Sequence, residues 1–291
     1  MARELRVAYP SWPARTPDLV TELLAVDLVL GYRGDPVVHA ASIELVRGRV
    51  TALVGPNGSG KSTLLRALAR LHAPAAGEVR LRDGSDAWLL AHRAFARQVT
   101  LLAQSRPTPT GISVRDVIGY GRYPYRGRWG GGDPDGADAV RHAMAVTGVE
   151  GLADRCVDEV SGGQLQRVWL ACCLAQQTDV LLLDEPTTFL DLRYQIEILD
   201  LVRDLADLHD VAIGVVMHDL DQAAAIADQV VLLDEGTVRA CGPPDEVLTS
   251  ELLTETYGLR VEVDVDPTTG SLRTRPVGRH SSRRTNATSA C

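Results

Sequence analysis

Residues 55 to 62 read GPNGSGKS, an unbroken G-x-x-x-x-G-K-[ST] run. Before it stands VTALV (50 to 54), a short branched apolar stretch of strand length; after it STLLRALARLH sets Leu64, Leu65, Leu68 and Leu71 at helical spacing. Strand, glycine loop and helix in this order make a phosphate cradle. Glycines let successive backbone N–H groups curl around an anion, and the helix start adds its positive end. A lysine then reaches the outer phosphate oxygens and a hydroxyl ligates Mg2+. A turn that merely reverses the chain needs neither Lys61 nor Ser62. Composition sharpens the point: the chain has 30 basic residues in 291, and Lys61 is its sole lysine, all the others being arginine. A compact ammonium has been kept where a tight phosphate loop requires a point charge rather than a planar fork.

The rest of the chain alternates in the same manner. Strand-like runs lie at 23 to 30 (LLAVDLVL), 99 to 103 (VTLLA), 180 to 183 (VLLL), 211 to 217 (VAIGVVM) and 230 to 233 (VVLL), with helical patterns at 192 to 208 and 219 to 228. The order predicts an α/β fold with a mostly parallel core sheet covered on both faces. Residues 105 to 165 read as a mostly helical insertion, punctuated by Pro107, Pro109, Gly111 and the GRWGGGDPDG run, with helices near 113 to 120 and 137 to 148. From about 266 the chain lacks apolar periodicity, and a disordered tail over 263 to 291 is expected. Its arginines, Arg273, Arg275, Arg279, Arg283 and Arg284, read as solvated rather than lipid-binding.

Two nearly identical acidic runs compete for the metal partner of the loop, VLLLDE at 180 to 185 and VVLLDE at 230 to 235. The second continues into Gly236-Thr237, a tight hairpin with its carboxylates in water. The first ends a fully apolar strand and meets Pro186. That is the carboxyl end of a parallel strand, where ligands sit in such sheets. Asp184 is then the Mg2+ partner, and Glu185 orients or deprotonates an attacking water. A third constellation, Ser161-Gly162-Gly163-Gln164, opens a helix. Ser161 with Gln164 is sufficient as a capping box. Two glycines in a first turn weaken a helix, so both are read as room for a phosphate at the bare N-terminus.

Together these residues resemble the nucleotide-binding subunit of an ABC transporter over about residues 23 to 262, after an extension of 1 to 22. The resemblance implies an ABC-type P-loop fold with an antiparallel β-subdomain and an inserted helical subdomain. It makes Tyr32 the adenine-stacking aromatic, and Gly55, Pro56, Asn57, Gly58, Ser59, Gly60, Lys61, Ser62 and Thr63 the Walker A loop. Gln104 becomes the Q-loop glutamine and a further metal ligand, and Ser161 to Gln164 the signature, with Val160 where Leu is usual. Asp184 and Glu185 match Walker B and the catalytic glutamate, Asp191 the D-loop aspartate and His218 the switch histidine. Phe189 departs from the commoner Ala of the D-loop. The catalytic set so implied is Glu185, His218 and Lys61, acting on ATP with Mg2+. One copy of each motif implies a head-to-tail homodimer that binds two ATP, at the cytoplasmic face of a membrane under a multi-spanning permease. A substrate-binding protein takes part indirectly.

GYGRYPYRG (119 to 127) with GPPDEVLTSELLTETYG (242 to 258) is similar to importers of ferric siderophores, a group related to those for haem and vitamin B12. Tyr120, Tyr123 and Tyr125 line a docking groove or pack locally. The soluble ABC proteins acting on DNA or ribosomes usually carry two cassettes or a long coiled coil, neither of which is present. A small-molecule P-loop kinase would lack Ser161-Gly162-Gly163-Gln164.

Charge and cysteine usage agree. A net charge of −8 with pI near 5.4 argues against broad nucleic-acid binding. Five cysteines (Cys156, Cys172, Cys173, Cys241, Cys291) without C-x-x-C spacing read as reduced thiols. Residues 1 to 22 hold no signal-peptide core and no later run reaches membrane-spanning length. His39, His72, His92, His142, His209 and His280 are read as ordinary surface or packing residues.

Overall fold

The computed structural model describes residues 20–32, 35–127 and 132–278. Most of the expected N-terminal extension, and Arg279, His280, Arg283, Arg284 and Cys291, lie outside the described residues. The chain opens with β1 (Thr21–Tyr32), β2 (Asp35–Val46) and β3 (Val50–Val54), then α1 (Lys61–Leu68), β4 (Ala76–Leu81), the short α2 (His92–Phe95) and β5 (Val99–Leu102). A helical stretch comes next, α3 (Val114–Gly119), α4 (Gly136–Val146) and α5 (Gly162–Ala175). Then come β6 (Val180–Asp184), α6 (Leu192–His209), β7 (Ala212–Val216), α7 (Leu220–Ile226), β8 (Gln229–Asp234) and β9 (Thr237–Gly242). α8 (Pro244–Val247), α9 (Ser250–Tyr257) and the strands β10 (Val261–Val265) and β11 (Leu272–Pro276) close the described chain.

The central six-stranded sheet runs β5-β6-β7-β3-β8-β9, parallel throughout except for the antiparallel edge strand β9. A second, antiparallel sheet has the order β2-β1-β4. Strands β3, β6 and β7 are buried at every position, which is why they read as unbroken apolar runs rather than alternations. Their side chains nevertheless divide by period two. Val50, Ala52 and Val54 face one core with Leu181, Leu183, Ile213 and Val215; Leu53 faces the other with Leu182, Val216 and α1 residues Leu64, Leu65 and Leu68. α6 closes the first core through Ile198, Leu199, Val202 and Leu205 at helical spacing. The helical stretch has a core of its own, in which Val114, Val117 and Ile118 meet Ala143, Met144, Val168 and Ala171.

One expectation is corrected. Residues 263 to 276 are not disordered: β10 and β11 pair antiparallel, with Val263 opposite Thr274, and Val263 and Leu272 pack on the main core. Composition concealed a turn. The Asp266 side chain accepts from the Thr268 and Thr269 amides, and Gly270 takes φ +71°, so Asp266-Pro-Thr-Thr-Gly270 reverses the chain. The three tyrosines of the GYGRYPYRG segment divide. Tyr120 and Tyr123 are exposed, whereas Tyr125 is covered by the guanidinium of Arg122, 3.9 Å from its ring centre. Arg122 is buried, forks onto Asp133 (2.7 and 2.9 Å) and donates to the Ala175 carbonyl (2.9 Å). Arg122 thus ties this turn to the end of α5.

Candidate active site

The phosphate loop is held from behind by the second acidic run. Asp234 and Thr237 flank a two-residue turn in which Glu235 and Gly236 take φ +45° and +76°, the positive pair that joins tightly twisted strands. The Gly236 N–H donates to the Ser59 carbonyl (3.2 Å), and the Gly236 carbonyl accepts from the His39 N–H (2.8 Å). β8 passes so close that a Cβ on Gly55, whose φ is +141°, would lie 2.0 Å from the Leu233 carbonyl oxygen. Only glycine fits there. Lys61 opens α1, is 5% exposed, and donates through Nζ to the carbonyls of Gly55 and Pro56, each at 2.8 Å. Burial pushes its pKa below the ordinary lysine value, against the opposing pull of Glu185 and Asp184. Two features suit this loop to an anion. No side chain caps the start of α1, and the buried Ser59 hydroxyl has no hydrogen-bond partner among the described residues.

Asp184 ends β6 almost fully buried, and the Ser62 hydroxyl donates to its Oδ1 (2.8 Å), with an Arg66 nitrogen 3.9 Å from Oδ2. Burial raises its pKa, the Ser62 bond and Arg66 opposing. A carboxylate whose folded pKa lies above its unfolded value costs the fold stability once ionised, a cost relieved as pH falls through the folded pKa. Asp184→Asn should therefore stabilise the metal-free protein at neutral pH, read as a higher Tm, while magnesium-dependent hydrolysis disappears. A lower Tm would contradict the cost assigned to this carboxylate.

Glu185 comes next, in the left-handed region (φ +53°), a conformation that a non-glycine residue keeps only where its surroundings impose it. They do. Its N–H donates to the Val216 carbonyl (3.2 Å), Oε2 accepts from Gln104 Nε2 (2.6 Å) and Thr188 Oγ1 (3.1 Å), and Oε1 lies 2.5 Å from His218 Nε2. Glu185 and His218 line, with Asn57, Lys61, Ser62 and Thr63, a cleft of about 310 Å³. Four chain segments distant in sequence thus converge at the carboxyl ends of β3, β5, β6 and β7. Thr188 has no signal in the sequence beyond its place three residues after Glu185.

Ser161 to Gln164 and Asp191 do not line this cleft. The capping box is complete: Ser161 Oγ accepts from the Gln164 N–H (3.4 Å) and Gln164 Oε1 from the Ser161 N–H (3.0 Å). Asp191 caps α6 through the Tyr194 amide (3.5 Å). The two glycines differ in what surrounds them. Gly162 faces open space, but a Cβ on Gly163 would lie 2.3 Å from the ring of Tyr194. Gly163 is therefore small for the sake of the chain's own α6. Gln166 Nε2 donating to the Pro186 carbonyl (2.8 Å) and Arg167 beside Glu197 (3.8 Å) complete the tie between α5 and the segment after Glu185. Gly163→Ala should cost about 1 to 3 kcal/mol through overpacking, whereas Gly162→Ala should leave Tm nearly unchanged. Equal losses in thermal denaturation would contradict the assignment.

Tyr32, at the end of β1, is half exposed on the antiparallel sheet, its ring centre 4.6 Å from that of His72. His72 Nε2 is buried without a partner among the described residues. Helical spacing around α1 gives His72 no role; the fold places it beside Tyr32.

Comparison with known proteins agrees with this arrangement. A family model described as "ABC transporter" matches residues 38–188. The chain is 43% identical over 260 residues to the ferric enterobactin transport ATP-binding protein FepC of Escherichia coli, covering 89% of this chain and 96% of that protein. The chain belongs to the ABC transporter ATP-binding family. It is an ABC-type ATPase. Further relatives are the probable siderophore transport system ATP-binding protein YusV of Bacillus subtilis, 40% identical over 87% of this chain and 91% of its own length, and the cobalamin import ATP-binding protein BtuD of Halobacterium salinarum, 44% identical over 82% of this chain and 59% of its own. Among solved structures, a chain from an inward-facing ABC transporter described as of the metal-chelate type superposes with TM-score 0.77. It is 26% identical, covering 89% of this chain and 98% of that one. No helix among the described residues is long and apolar enough to cross a membrane.

Proposed function

We propose that this ABC ATPase powers uptake of a ferric siderophore or related iron complex, working as a head-to-tail homodimer under a multi-spanning permease at the cytoplasmic face of the membrane. The observation that carries the catalytic part is the Glu185 carboxylate, fixed by Gln104, Thr188 and His218 in the same cleft as Lys61 and Ser62.

In this reading Gly55 to Thr63 bind the phosphates of ATP, Lys61 meeting the β and γ oxygens and Tyr32 stacking on adenine. Ser62, Asp184 and Gln104 would hold Mg2+. The buried hydroxyl–carboxylate pair of Ser62 and Asp184 suits a hard cation with oxygen ligands. When bound, Mg2+ neutralises charge developing on the phosphate oxygens. Glu185 accepts the proton of the attacking water, and His218 holds Glu185 and meets the γ-phosphate. The signature of one copy, with its open Gly162, and the Asp191 segment cover the nucleotide held by the other. ATP favours this closed dimer because the γ-phosphate touches both copies, and hydrolysis removes that contact.

The cargo rests on the relatives named for siderophores and on the Gly-Arg-x-Pro segment. The BtuD resemblance makes cobalamin, with haem, the second candidate. A substrate-binding protein delivers cargo to the permease and meets this chain only through it. Glu185→Gln protein with ATP and Mg2+, used as bait in gently solubilised membranes, should recover a multi-spanning permease. Recovery of ribosomal or DNA-associated proteins instead would overturn the transport reading.

A further inference from the structure

The C-terminal hairpin, expected to be disordered, packs with the end of α9 beside the turn that carries His218. Tyr257, the last residue of α9, is partly buried, and burial pushes its pKa up. Thr274, in β11, donates twice to Asp221 Oδ1, through its backbone N–H and its hydroxyl, each at 2.7 Å. Asp221 sits in the first turn of α7, whose cap, Asp219, directly follows His218. A cleft of about 300 Å³ between these parts is lined by His218, Asp219, Tyr257, Val261, Thr274 and Pro276.

Nothing in helix formation requires the Thr274 bonds. Asp219 already caps α7 through the Gln222 N–H (2.9 Å), and the hairpin is held to the core by Val263 and Leu272. The two bonds add a fixed distance between the hairpin and the turn that carries His218, a turn set on its other side by the end of β7. His218 Nε2 lies within hydrogen-bond distance of Glu185 Oε1, and a contact of this kind weakens steeply when the imidazole is displaced or turned.

We propose that Asp221 and Thr274 are positioning residues for ATP hydrolysis, the C-terminal hairpin acting as a brace that keeps His218 against Glu185. This rests on the catalytic reading of His218, and the experiment separates the two. Steady-state ATPase kinetics of the full chain are measured for Asp221→Ala, Thr274→Val, Thr274→Ser and His218→Ala, each with its Tm. Asp221→Ala, which loses both bonds, should lower kcat about tenfold with KM for ATP nearly unchanged, because a displaced imidazole affects the transition state rather than nucleotide binding. Thr274→Val should fall between, and Thr274→Ser should keep the wild-type rate. In a His218→Ala background, Asp221→Ala should add no further loss in kcat. An unchanged kcat in Asp221→Ala, a loss that Thr274→Ser shares, or full additivity with His218→Ala would overturn the brace. If His218→Ala alone turns over normally, the catalytic reading of His218 fails, and the brace fails with it for that separate reason.

Discussion

Glu185→Gln should bind ATP with unchanged affinity and hydrolyse it some 10²- to 10⁴-fold more slowly, the usual worth of a positioned general base. The amide is isosteric and keeps hydrogen bonds to Thr188 and Gln104, but it cannot take a proton from water. The backbone strain at φ +53° is untouched, because glutamine meets the same constraint. Since the γ-phosphate then persists, the closed dimer should accumulate. Light scattering on the variant with ATP and Mg2+ should report twice the monomer mass, and with ADP the monomer mass. Normal turnover would remove Glu185 from its role, and a monomer with ATP would remove the two-chain site.

Lys61→Arg keeps the charge, and in a chain whose other basic residues are all arginine it would look innocuous. The geometry says otherwise. Nζ lies 2.8 Å from two carbonyls at the loop's start in a site 5% exposed. A planar guanidinium, larger and with five donors in a rigid fork, cannot sit between those oxygens without pushing the loop outward. Overpacking of a buried position typically costs about 1 to 3 kcal/mol, so Tm should fall. ATP binding should weaken more, by about 100-fold or roughly 2.7 kcal/mol, because the loop's N–H groups move with it. Titration with a fluorescent ATP analogue reads the affinity. Wild-type binding would mean that charge alone matters at this position, and that the lysine is there by chance.

Most of the candidate site is legible in local spacing. The glycine loop sits between β3 and α1, and the two VLLDE-like runs are told apart by their next residues, Pro186 in one and Gly236-Thr237 in the other. Both are short-range signals, carried by turn and strand chemistry. The features that escape such spacing are long-range or run against composition. Gly163 reads as room for a ligand because no pattern within α5 reports the Tyr194 ring packed on it from α6. His72 becomes a neighbour of Tyr32 only through tertiary approach. The residues after 263 are polar enough to suggest disorder, yet the Asp266 turn and two apolar residues suffice to fold them against a core already formed. The GYGRYPYRG segment stands out by its glycines and tyrosines, but the burial of Arg122 in an ion pair with Asp133 is hidden by the glycine-rich run between them.

The most direct test is uptake of radiolabelled ferric siderophore by source cells that lack this chain, carrying either the wild-type sequence or Glu185→Gln. Energy-dependent accumulation of iron is predicted with the first and none with the second, although both proteins are present at the membrane. Equal uptake with the two, or normal siderophore uptake in cells lacking the chain altogether, would contradict the assignment of this ATPase to siderophore import.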